Sequence, residues 1–330
     1  MEKRFLLCLK NLKKSKGSSL KKQIFSHLKP ILGYLVILKL LFYGRNYIMN
    51  KILILILTFF ISTAVNAKDL SEFFSNIVPG EGITEAEINL TDADDREPTF
   101  NILMLRNIEK TEQTNFFTQF SLQTQDVAQK DQRYIGNIGF GYRFLNEDNS
   151  LMLGSNIFYD RDLENKHARA SLGFEARGGN LEASLNFYEG ISNQDIINAR
   201  KEQSLGGYDF NISSQIPFMP WARINYTSYE WDADIASTNT KGTKYGSEVN
   251  VSPSLLLGYE YNESGNSGDD VSSINLTFVY PPRDNKPTIA NGLSSQAFTY
   301  GDVSEKLSDK VKRNNKLVIE TQGAVIITKQ

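Results

Sequence analysis

The sequence predicts an all-β fold, a transmembrane antiparallel β-barrel of about 12 strands with a short C-terminal helix and an extended linker in or near the lumen. Three observations favour this fold. Segments of about nine to twelve residues alternate apolar and polar side chains, which is the period of a strand with one apolar face. Charged residues recur on the polar face, as expected of a water-filled interior. The connections alternate between short and long, like the periplasmic turns and external loops of outer-membrane barrels.

The N-terminal region, residues 1–67, differs in charge from the rest of the chain. It holds twelve of the 36 Lys and Arg residues and one of the 38 acids, so the remainder has 24 basic and 37 acidic residues and a net charge of −13. Binding to nucleic acid needs a basic surface, so this balance argues against a nucleic-acid partner. The one cysteine, Cys8, also lies in this region, so the remainder forms no disulfide.

A signal peptide is predicted at residues 49–67, MNKILILILTFFISTAVNA. A lysine precedes an apolar core of about ten residues, and small residues precede the expected cleavage site after Ala67. The core is short for a transmembrane helix. We expect translation to begin at Met49, which makes residues 1–48 an upstream extension; the alternative is a long, basic extension of the signal. Residues 68–83 are predicted to be a periplasmic N-terminal segment.

The barrel is predicted to occupy residues 84–281, beginning with a weak alternating run at 86–90. In the run 138–144, Ile, Phe, Tyr and Phe share the apolar face, and two glycines and Arg143 share the polar face. A soluble β-sandwich alternates as well, but charged polar faces, aromatic residues at the ends of apolar faces and alternating connection lengths favour the membrane barrel. Further runs lie at 100–105, 116–122, 151–160, 168–176, 181–187, 208–213, 222–226, 255–261 and 274–280. Trp221 and Trp231 are expected to anchor at the membrane interfaces.

One predicted hairpin carries a motif. The stretch 151–176, LMLGSNIFYDRDLENKHARASLGFEA, together with NIGFGYRF before it, resembles the β-domain of inverse autotransporters, the intimin and invasin family. The family pattern is roughly G-x-N-x-F-Y-D-x-D-L followed by H-x-R-x-G-L-G-x-E, and Ser171 replaces one family glycine. The resemblance covers about residues 84–320. The matching residues of the hairpin are Gly154, Asn156, Phe158, Tyr159, Asp160, Asp162, Leu163, His167, Arg169, Leu172, Gly173 and Glu175.

The resemblance implies a linker in the C-terminal region, residues 282–330. LSDKVKRNNKLVIE is similar to the family's linker, a short helix followed by R-N-N, here Arg313, Asn314 and Asn315, and an extended apolar run. In that family the linker threads the lumen and carries an adhesive passenger. No passenger is evident before Gln330, so we expect a translocation barrel with a stub of linker. Apart from the resemblance, the spacing of Val303, Leu307 and Val311 predicts a helix at about 303–312 in or at the periplasmic mouth.

Two acids and a histidine, Asp160, Asp162 and His167, lie at the predicted external hairpin. An Asp–His pair there could activate water, but one sequence shows no converging nucleophile or further acid. We therefore expect a rim histidine hydrogen-bonded across its own hairpin, and a protein without catalytic residues, cofactor or metal. The acids at 92–95 and 269–270 lack the spacing of a calcium loop and are expected to be solvated loop residues.

Two layers of inward-facing residues are predicted from the tight connections on either side of the fifth strand. Glycines inside a strand suit a place where another chain segment approaches closely. Our hypothesis is that the linker, 303–320, packs against the glycine layer and that the other layer lines its entrance; the alternative is that the glycines relieve crowding. A slip of two residues in register would keep the same faces. The layers are Gly141, Gly154 and Gly173, and then Arg143, Met152 and Glu175.

These features together favour an outer-membrane translocator or anchor of inverse autotransporter type, in a Gram-negative bacterium, that exports or displays a C-terminal segment. The expected partners are outer-membrane lipid, the barrel-assembly machinery, and a host or surface ligand reached through a missing passenger. The alternative function is a free-standing outer-membrane pore or barrel enzyme.

Overall fold

Twelve antiparallel strands form a closed barrel in the part of the chain that the computed structural model describes, residues 78–92, 97–127, 131–265, 270–321 and 324–326. Strand β1 pairs with both β2 and β14, which closes the sheet and confirms the predicted fold and strand number. The barrel strands are β1 (Gly82–Thr91), β2 (Thr99–Lys110), β3 (Thr114–Val127), β4 (Asp131–Leu145), β5 (Met152–Asp162), β6 (Ala168–Arg177), β7 (Leu181–Gly190), and, after a hairpin of β8 (Asp195–Ile197) and β9 (Arg200–Ser204), β10 (Gly207–Ile216), β11 (Met219–Trp231), β12 (Thr240–Ser252), β13 (Leu255–Ser264) and β14 (Val271–Tyr280).

The alternating sequence pattern sets which side chains face out. On β5, Ile157 and Tyr159 are exposed on the outer surface, whereas Phe158 and Asp160 between them are buried inside. An apolar outer face suits contact with lipid, and closure leaves no strand edge with unpaired backbone groups in the apolar layer. The lumen is consequently lined by polar and charged side chains that are buried without being exposed to lipid.

The two rims of the barrel differ in their connections. One rim has the short turns 111–113, 146–151, 178–180, 217–218 and 253–254. The other rim has the connection between β7 and β10, which contains the β8–β9 hairpin, and other long loops. The connection between β3 and β4 is shorter than the sequence pattern suggests, because the two strands remain paired from Thr114 and Phe144 up to Val127 and Asp131. Both faces of the strands are polar there, so the alternation fades while the backbone pairing continues.

The segment 281–303 follows the short-turn rim before it reaches the lumen. Its backbone bonds to one turn after another, from Arg283 N to Pro253 O (2.9 Å), Ser294 N to Phe218 O (2.8 Å), and Val303 N to Asn149 O (2.8 Å). A short 3₁₀ helix, Ile289–Asn291, lies in this segment. These bonds tie the chain to one rim and bring it to the mouth of the barrel at Val303.

The helix predicted at about 303–312 is not confirmed over that extent. Only a 3₁₀ helix, Ser304–Ser308, forms, and the chain then continues as an extended segment. In an α-helix Leu307 O would accept from Val311 N. Here Leu307 O accepts from Asn115 and Arg143, and Val311 N donates to Gln119, so side chains of the wall take both groups. Two short strands, β15 (Ile319–Thr321) and β16 (Ala324–Ile326), follow.

None of the helices in the described ranges is long and apolar enough to cross a membrane. Several sequence predictions lie outside the described residues: the extension 1–48, the signal peptide 49–67 with its cleavage site Ala67, most of 68–83, and Gln330. Asp94, Asp95 and Asp269 also lie outside them. Asp92 and Asp270 are described, and both accept hydrogen bonds from residues of barrel strands, Asp92 from Ser272 N of β14 (2.9 Å) and Asp270 from Tyr261 Oη of β13 (2.7 Å).

Candidate functional site

The linker, here residues 303–321, begins with an apolar contact just inside the short-turn rim. Val303 and Leu307 form a buried cluster with Leu145 and Met152 at the ends of β4 and β5. Val311, one further step along, packs in a different cluster with Phe117, Phe158 and others of the wall. The three apolar residues that suggested a helix are thus all buried, but they contact successive levels of the lumen because the chain is extended.

Two arginines hold the linker backbone above this first contact. Arg143 Nε donates to Glu175 Oε1 (2.6 Å), and Arg143 Nη1 donates to the carbonyl oxygens of Leu307 (2.9 Å) and Asp309 (2.5 Å). Arg177 shares the same carboxylate, with Nη2 2.6 Å from Glu175 Oε2, and donates to Lys310 O (2.7 Å). Glu175 therefore fixes two guanidinium groups whose remaining donors bind linker carbonyls.

The register of these strands corrects the predicted layers. Arg143 lies opposite Gly154, and Gly154 lies opposite Glu175, so Gly154 separates the two charged residues where Met152 was predicted. The slip is two residues, which leaves every side chain on its predicted face. A Cβ at Gly154 would lie 2.9 Å from Arg143 Cγ and 2.9 Å from Glu175 Oε1. The missing side chain is what lets the ion pair form across the intervening strand.

The glycine layer predicted as a groove for the linker does not exist as such. Gly141 and Gly173 lie opposite Asn156, not opposite Gly154. The atoms nearest to a Cβ at these glycines belong to wall side chains, Phe117 at Gly141 and Asn156 and Asn186 at Gly173. The glycines make room for side chains of neighbouring strands, and those side chains in turn contact the linker.

A second ionic centre lies further along the lumen. Asp160 on β5 lies opposite Arg169 on β6, and Arg169 Nη2 is 2.8 Å from Asp160 Oδ2. Arg313 of the linker binds the same carboxylate with two hydrogen bonds, Nη2 to Oδ2 (2.6 Å) and Nη1 to Oδ1 (3.0 Å). Its guanidinium carbon lies 4.3 Å from the centroid of the Phe158 ring. One buried carboxylate thus joins a wall arginine to a linker arginine. This contact depends on the side chain of the linker residue and not on its backbone.

A row of amide side chains on β3 binds the linker backbone. Every contact in the row joins residues 192 positions apart, so β3 and the linker run parallel in one register. The four amide residues are buried and lie on the inward face. The bonds are Asn115 Nδ2 to Leu307 O (2.8 Å), Val311 N to Gln119 Oε1 (2.9 Å), Gln123 Nε2 to Asn315 O (2.6 Å), Leu317 N to Gln125 Oε1 (2.8 Å) and Gln125 Nε2 to Leu317 O (2.6 Å). We call Asn115, Gln119, Gln123 and Gln125 the amide row.

The opposite side of the linker backbone is bound by β6 and β7. Arg177, Asn186 and Arg169 donate to the carbonyl oxygens of residues 310, 312 and 314 in turn. Successive peptide groups of an extended chain point in opposite directions, which is why odd-numbered residues bond to β3 and even-numbered ones to β6 and β7. The linker therefore resembles a strand whose backbone partners are side chains of the lumen wall.

Charge complementarity adds to these backbone contacts. Lys306 Nζ lies 2.7 Å from Glu182 Oε1, and Lys310 Nζ lies 2.7 Å from Glu85 Oε2. The one acid of the extended part, Asp309, lies 2.7 Å from Lys286 Nζ in the rim segment. The basic linker is thus held by acids that the wall supplies.

At the long-loop rim the linker joins a small sheet. β15 pairs with β9 of the β8–β9 hairpin and with β16, which gives the sheet order β16-β15-β9-β8. Glu320 on β15 accepts hydrogen bonds from the backbone N–H groups of Asp234 (2.9 Å), Ile235 (2.7 Å) and Ala236 in the β11–β12 loop. Two separate loops of this rim are therefore fixed to the linker where it leaves the lumen.

His167 of the family motif belongs to a cluster at the same rim. Its Nε2 lies 3.4 Å from Glu202 Oε2 on β9, and Arg133 donates two hydrogen bonds to Glu202, of 2.8 and 3.0 Å. Burial acts to raise the pKa of Glu202, but its contacts with His167 and Arg133 outweigh this and lower the pKa to about 2. The predicted hydrogen bond across the histidine's own hairpin is made by its backbone, with Asp162 N donating to His167 O (2.9 Å), whereas its imidazole faces the β8–β9 hairpin. Asp162 lies 3.4 Å from Arg133 and belongs to the same cluster.

Some functional residues were not recognised in the sequence. The amide row carries a signal, an amide at 115, 119, 123 and 125 on one face of a strand, that could have been noticed. No pattern in the sequence indicated that Asp160 binds Arg313, because the two residues are far apart in sequence. Trp231 was expected at a membrane interface, but it is buried in the lumen against Tyr188 and Tyr229. Trp221 lies at the short-turn rim, where its Nε1 donates to Gly292 O (2.7 Å).

A polar cavity of about 210 Å³ lies on the side of the linker that faces away from β6 and β7. Its lining includes linker residues, among them Lys312, Asn315 and Lys316, and wall acids such as Glu87 and Glu260. The linker thus occupies one side of the lumen and leaves space beside it.

Comparisons with known proteins agree with this geometry. The family described as "Inverse autotransporter, beta-domain" matches residues 69–315. "Uncharacterized protein YchO" of Escherichia coli (strain K12) is 27% identical over 166 residues, which is 47% of this chain and 34% of that protein. "Inverse autotransporter adhesin YeeJ" of the same strain is 26% identical over 220 residues, 62% of this chain and 9% of that protein. The chain thus spans about a third or less of the length of these relatives.

A solved structure shares the fold. It is described as "Unveiling the Mechanism Behind the in-meso Crystallization of Membrane Proteins", and it covers 72% of this chain and 99% of its own with a TM-score of 0.59 at 21% identity. The family match covers all twelve strands of the barrel and reaches the R-N-N residues of the linker. The chain therefore belongs to the inverse autotransporter β-domain family, whose barrels lie in the outer membrane of Gram-negative bacteria.

Proposed function

We propose that the chain is a translocator and anchor that exports or displays the segment at its C-terminal end. One observation carries the proposal: the linker runs along β3 through the lumen, from the rim of short turns to the rim of long loops. In outer-membrane barrels the short turns are periplasmic and the long loops external. A linker with this course delivers whatever follows it to the cell surface.

The contacts of the linker support an anchoring role as well as a passage. Arg313 and Asp160 are both fully buried and share two hydrogen bonds, and Glu320 binds three backbone N–H groups of a loop at the outer rim. Removing one partner of a buried ion pair costs about 3–5 kcal/mol. The linker is therefore expected to stay in place after export and to tether the exported segment.

Adhesion enters the proposal only through the segment that the linker carries. The relative YeeJ is named an adhesin, and this chain spans 9% of its length. The family match covers the barrel and the linker as far as residue 315. We infer that this part supplies export and attachment, after signal cleavage at Ala67 and insertion by the barrel-assembly machinery, and that binding to a surface depends on what it displays.

A pore or an enzyme is less well supported. The linker fills part of the lumen, and the acids of the family hairpin are engaged by arginines, Asp160 by Arg169 and Arg313, and Asp162 by Arg133. Conductance of the purified barrel separates the first alternative from the proposal, since a translocator with a docked linker is expected to conduct less than a variant without it.

Cysteine labelling tests the proposal directly. In a Cys8→Ser background, Gln330→Cys is expected to react with a membrane-impermeant maleimide on intact cells. Glu164→Cys on the β5–β6 loop is the matched external control, and Asp148→Cys on the β4–β5 turn should react only after permeabilisation. Reaction at position 330 only after permeabilisation, with both controls behaving as stated, would place the tail in the periplasm and refute export.

A further inference from the structure

We propose that the amide row of β3 is a binding track for extended polypeptide backbone of any sequence, so that chains other than the docked linker occupy it on their way through the barrel. This inference rests on the proposed function and assigns the polypeptide-binding residues of the lumen. The ligand class is an extended chain recognised by its peptide N–H and C=O groups.

The first argument is the kind of atom that the track binds. All five bonds between the amide row and the linker end on backbone nitrogen or oxygen, at residues 307, 311, 315 and 317. Their side chains, two leucines, a valine and an asparagine, take no part in these bonds. Since every residue except proline offers the same donor and acceptor, the contacts do not depend on the sequence of the bound chain.

The second argument is the constant register. The offset of 192 positions holds from Asn115 to Gln125, so the bound chain has the same rise per residue as the strand beside it. In an extended chain the pattern of donors and acceptors on one side repeats every two residues. A chain that advances by two residues, about 6.6 Å, therefore presents the same groups to the row again. The track permits movement in steps without loss of its bonds at each rest position.

The third argument is unused bonding capacity. Among the residues that the structure describes, Gln119 Nε2 and Asn115 Oδ1 are buried atoms without a hydrogen-bond partner. A buried polar group normally has a partner. A chain in another position along the row can accept from Gln119 Nε2 and donate to Asn115 Oδ1.

The ionic contacts of the lumen wall differ from those of the amide row, because they bind side chains of the linker. Asp160 binds Arg313 and Glu85 binds Lys310 through side chains, so these contacts recognise the linker itself. A passing chain with other side chains lacks them, and it is held through its backbone, by the amide row on one side and by the wall donors of β6 and β7 on the other. The track then allows passage, and the ionic contacts define where movement ends.

Photocrosslinking in the full-length protein tests the track. The probe is an unrelated Ser/Thr/Gly-rich segment fused after Gln330 and followed by a small disulfide-bonded domain that halts export under oxidising conditions. A benzophenone amino acid replaces Ser121, which lies on the inward face between two residues of the row. The matched control places it at Leu122, which is exposed on the lipid-facing side. Crosslinked residues are then identified by mass spectrometry.

The track predicts crosslinks from position 121 into the halted Ser/Thr/Gly segment, at sites spaced by two residues, and none from position 122. In a second measurement, Gln119→Met with Gln123→Met is expected to slow appearance of a cysteine at position 330 at the surface by about fivefold per hydrogen bond lost, the factor that corresponds to a typical neutral hydrogen bond. Unchanged gel mobility of the unboiled protein shows that the variant barrel is assembled.

Three results would overturn the track. If the parent displays its tail but position 121 gives no crosslinks into the halted segment, the proposed function stands and the track is wrong. If the double methionine variant is assembled and exports as fast as the parent, the row is not used in passage. If the parent itself never displays its tail, both the proposed function and the track fail.

Discussion

The Asp160→Asn substitution tests how the linker is held in the lumen. Asp160 is fully buried and accepts hydrogen bonds from Arg313 of the linker and Arg169 of the wall. The amide keeps the size of the side chain but removes the negative charge that both guanidinium groups share. The substitution therefore weakens the linker's docking without removing its backbone contacts to the amide row.

The expected magnitude follows from the number and type of bonds. Arg313 makes two hydrogen bonds to Asp160, of 2.6 and 3.0 Å. A hydrogen bond to a charged group contributes about 1.5–3 kcal/mol; the amide nitrogen cannot accept, so one bond is lost and the other loses the negative charge, for a total of about 3 kcal/mol, or roughly a hundredfold in the docking equilibrium. The effect of Arg313→Gln should be smaller, because Asp160 keeps its partner Arg169.

Hydrogen–deuterium exchange of the full-length protein in detergent measures this equilibrium. Peptides covering 309–318 are expected to exchange roughly a hundredfold faster in Asp160→Asn than in the parent, while peptides from β4 remain protected. Glu164→Gln, an acid-to-amide change at an exposed position of the neighbouring loop, should change nothing. If the linker exchanges at the parental rate in Asp160→Asn while the barrel is intact, the ionic contact does not hold the linker.

Three further predictions concern other contacts of the linker. Gly154→Leu should separate the ion pair that crosses this position and speed exchange at 307–310, whereas Gly178→Ala, where a Cβ would meet no atom closer than 3.6 Å, should not. The pKa of Glu202 is lowered to about 2, so the stability that its ionised form gives to the folded protein is fully present above the ordinary pKa near 4.5 and is lost as the pH falls towards 2. Hydrogen–deuterium exchange of peptides from β9 and β15, measured as the pH is lowered, checks this. Glu320→Gln should weaken the attachment of the β11–β12 loop, measured as faster cleavage of that loop by external protease, with Glu189→Gln as the exposed control.

The barrel could be predicted from the sequence because lipid imposes a pattern that single residues reveal. Each strand must place residues such as Ile157 and Tyr159 outside and Asp160 inside, and a period of two is visible without knowledge of partners. The family motif and the R-N-N of the linker added the resemblance. These signals are local, so one chain is enough to show them.

The register of the barrel strands and the conformation of the linker could not be predicted from the sequence in the same way. A slip of two residues preserves both faces of a strand, and what selects the observed pairing is the space at Gly154 that the Arg143–Glu175 pair fills. The spacing of Val303, Leu307 and Val311 suits a helix, but the wall takes the backbone groups that a helix would use. In both cases the deciding atoms come from strands distant in sequence.

The position of the linker beside β3 is the central claim, and thiol crosslinking tests it most directly. Gln123→Cys and Asn315→Cys are paired in a Cys8→Ser chain, since Gln123 Nε2 lies 2.6 Å from Asn315 O and both residues line the lumen cavity. Treatment of outer membranes with a short bismaleimide should join the two cysteines in the folded, unboiled barrel, and the pair Leu122→Cys with Asn315→Cys should stay unlinked. Equal crosslinking of the two pairs, or crosslinking only after the barrel is unfolded, would contradict a linker that lies in the lumen along β3.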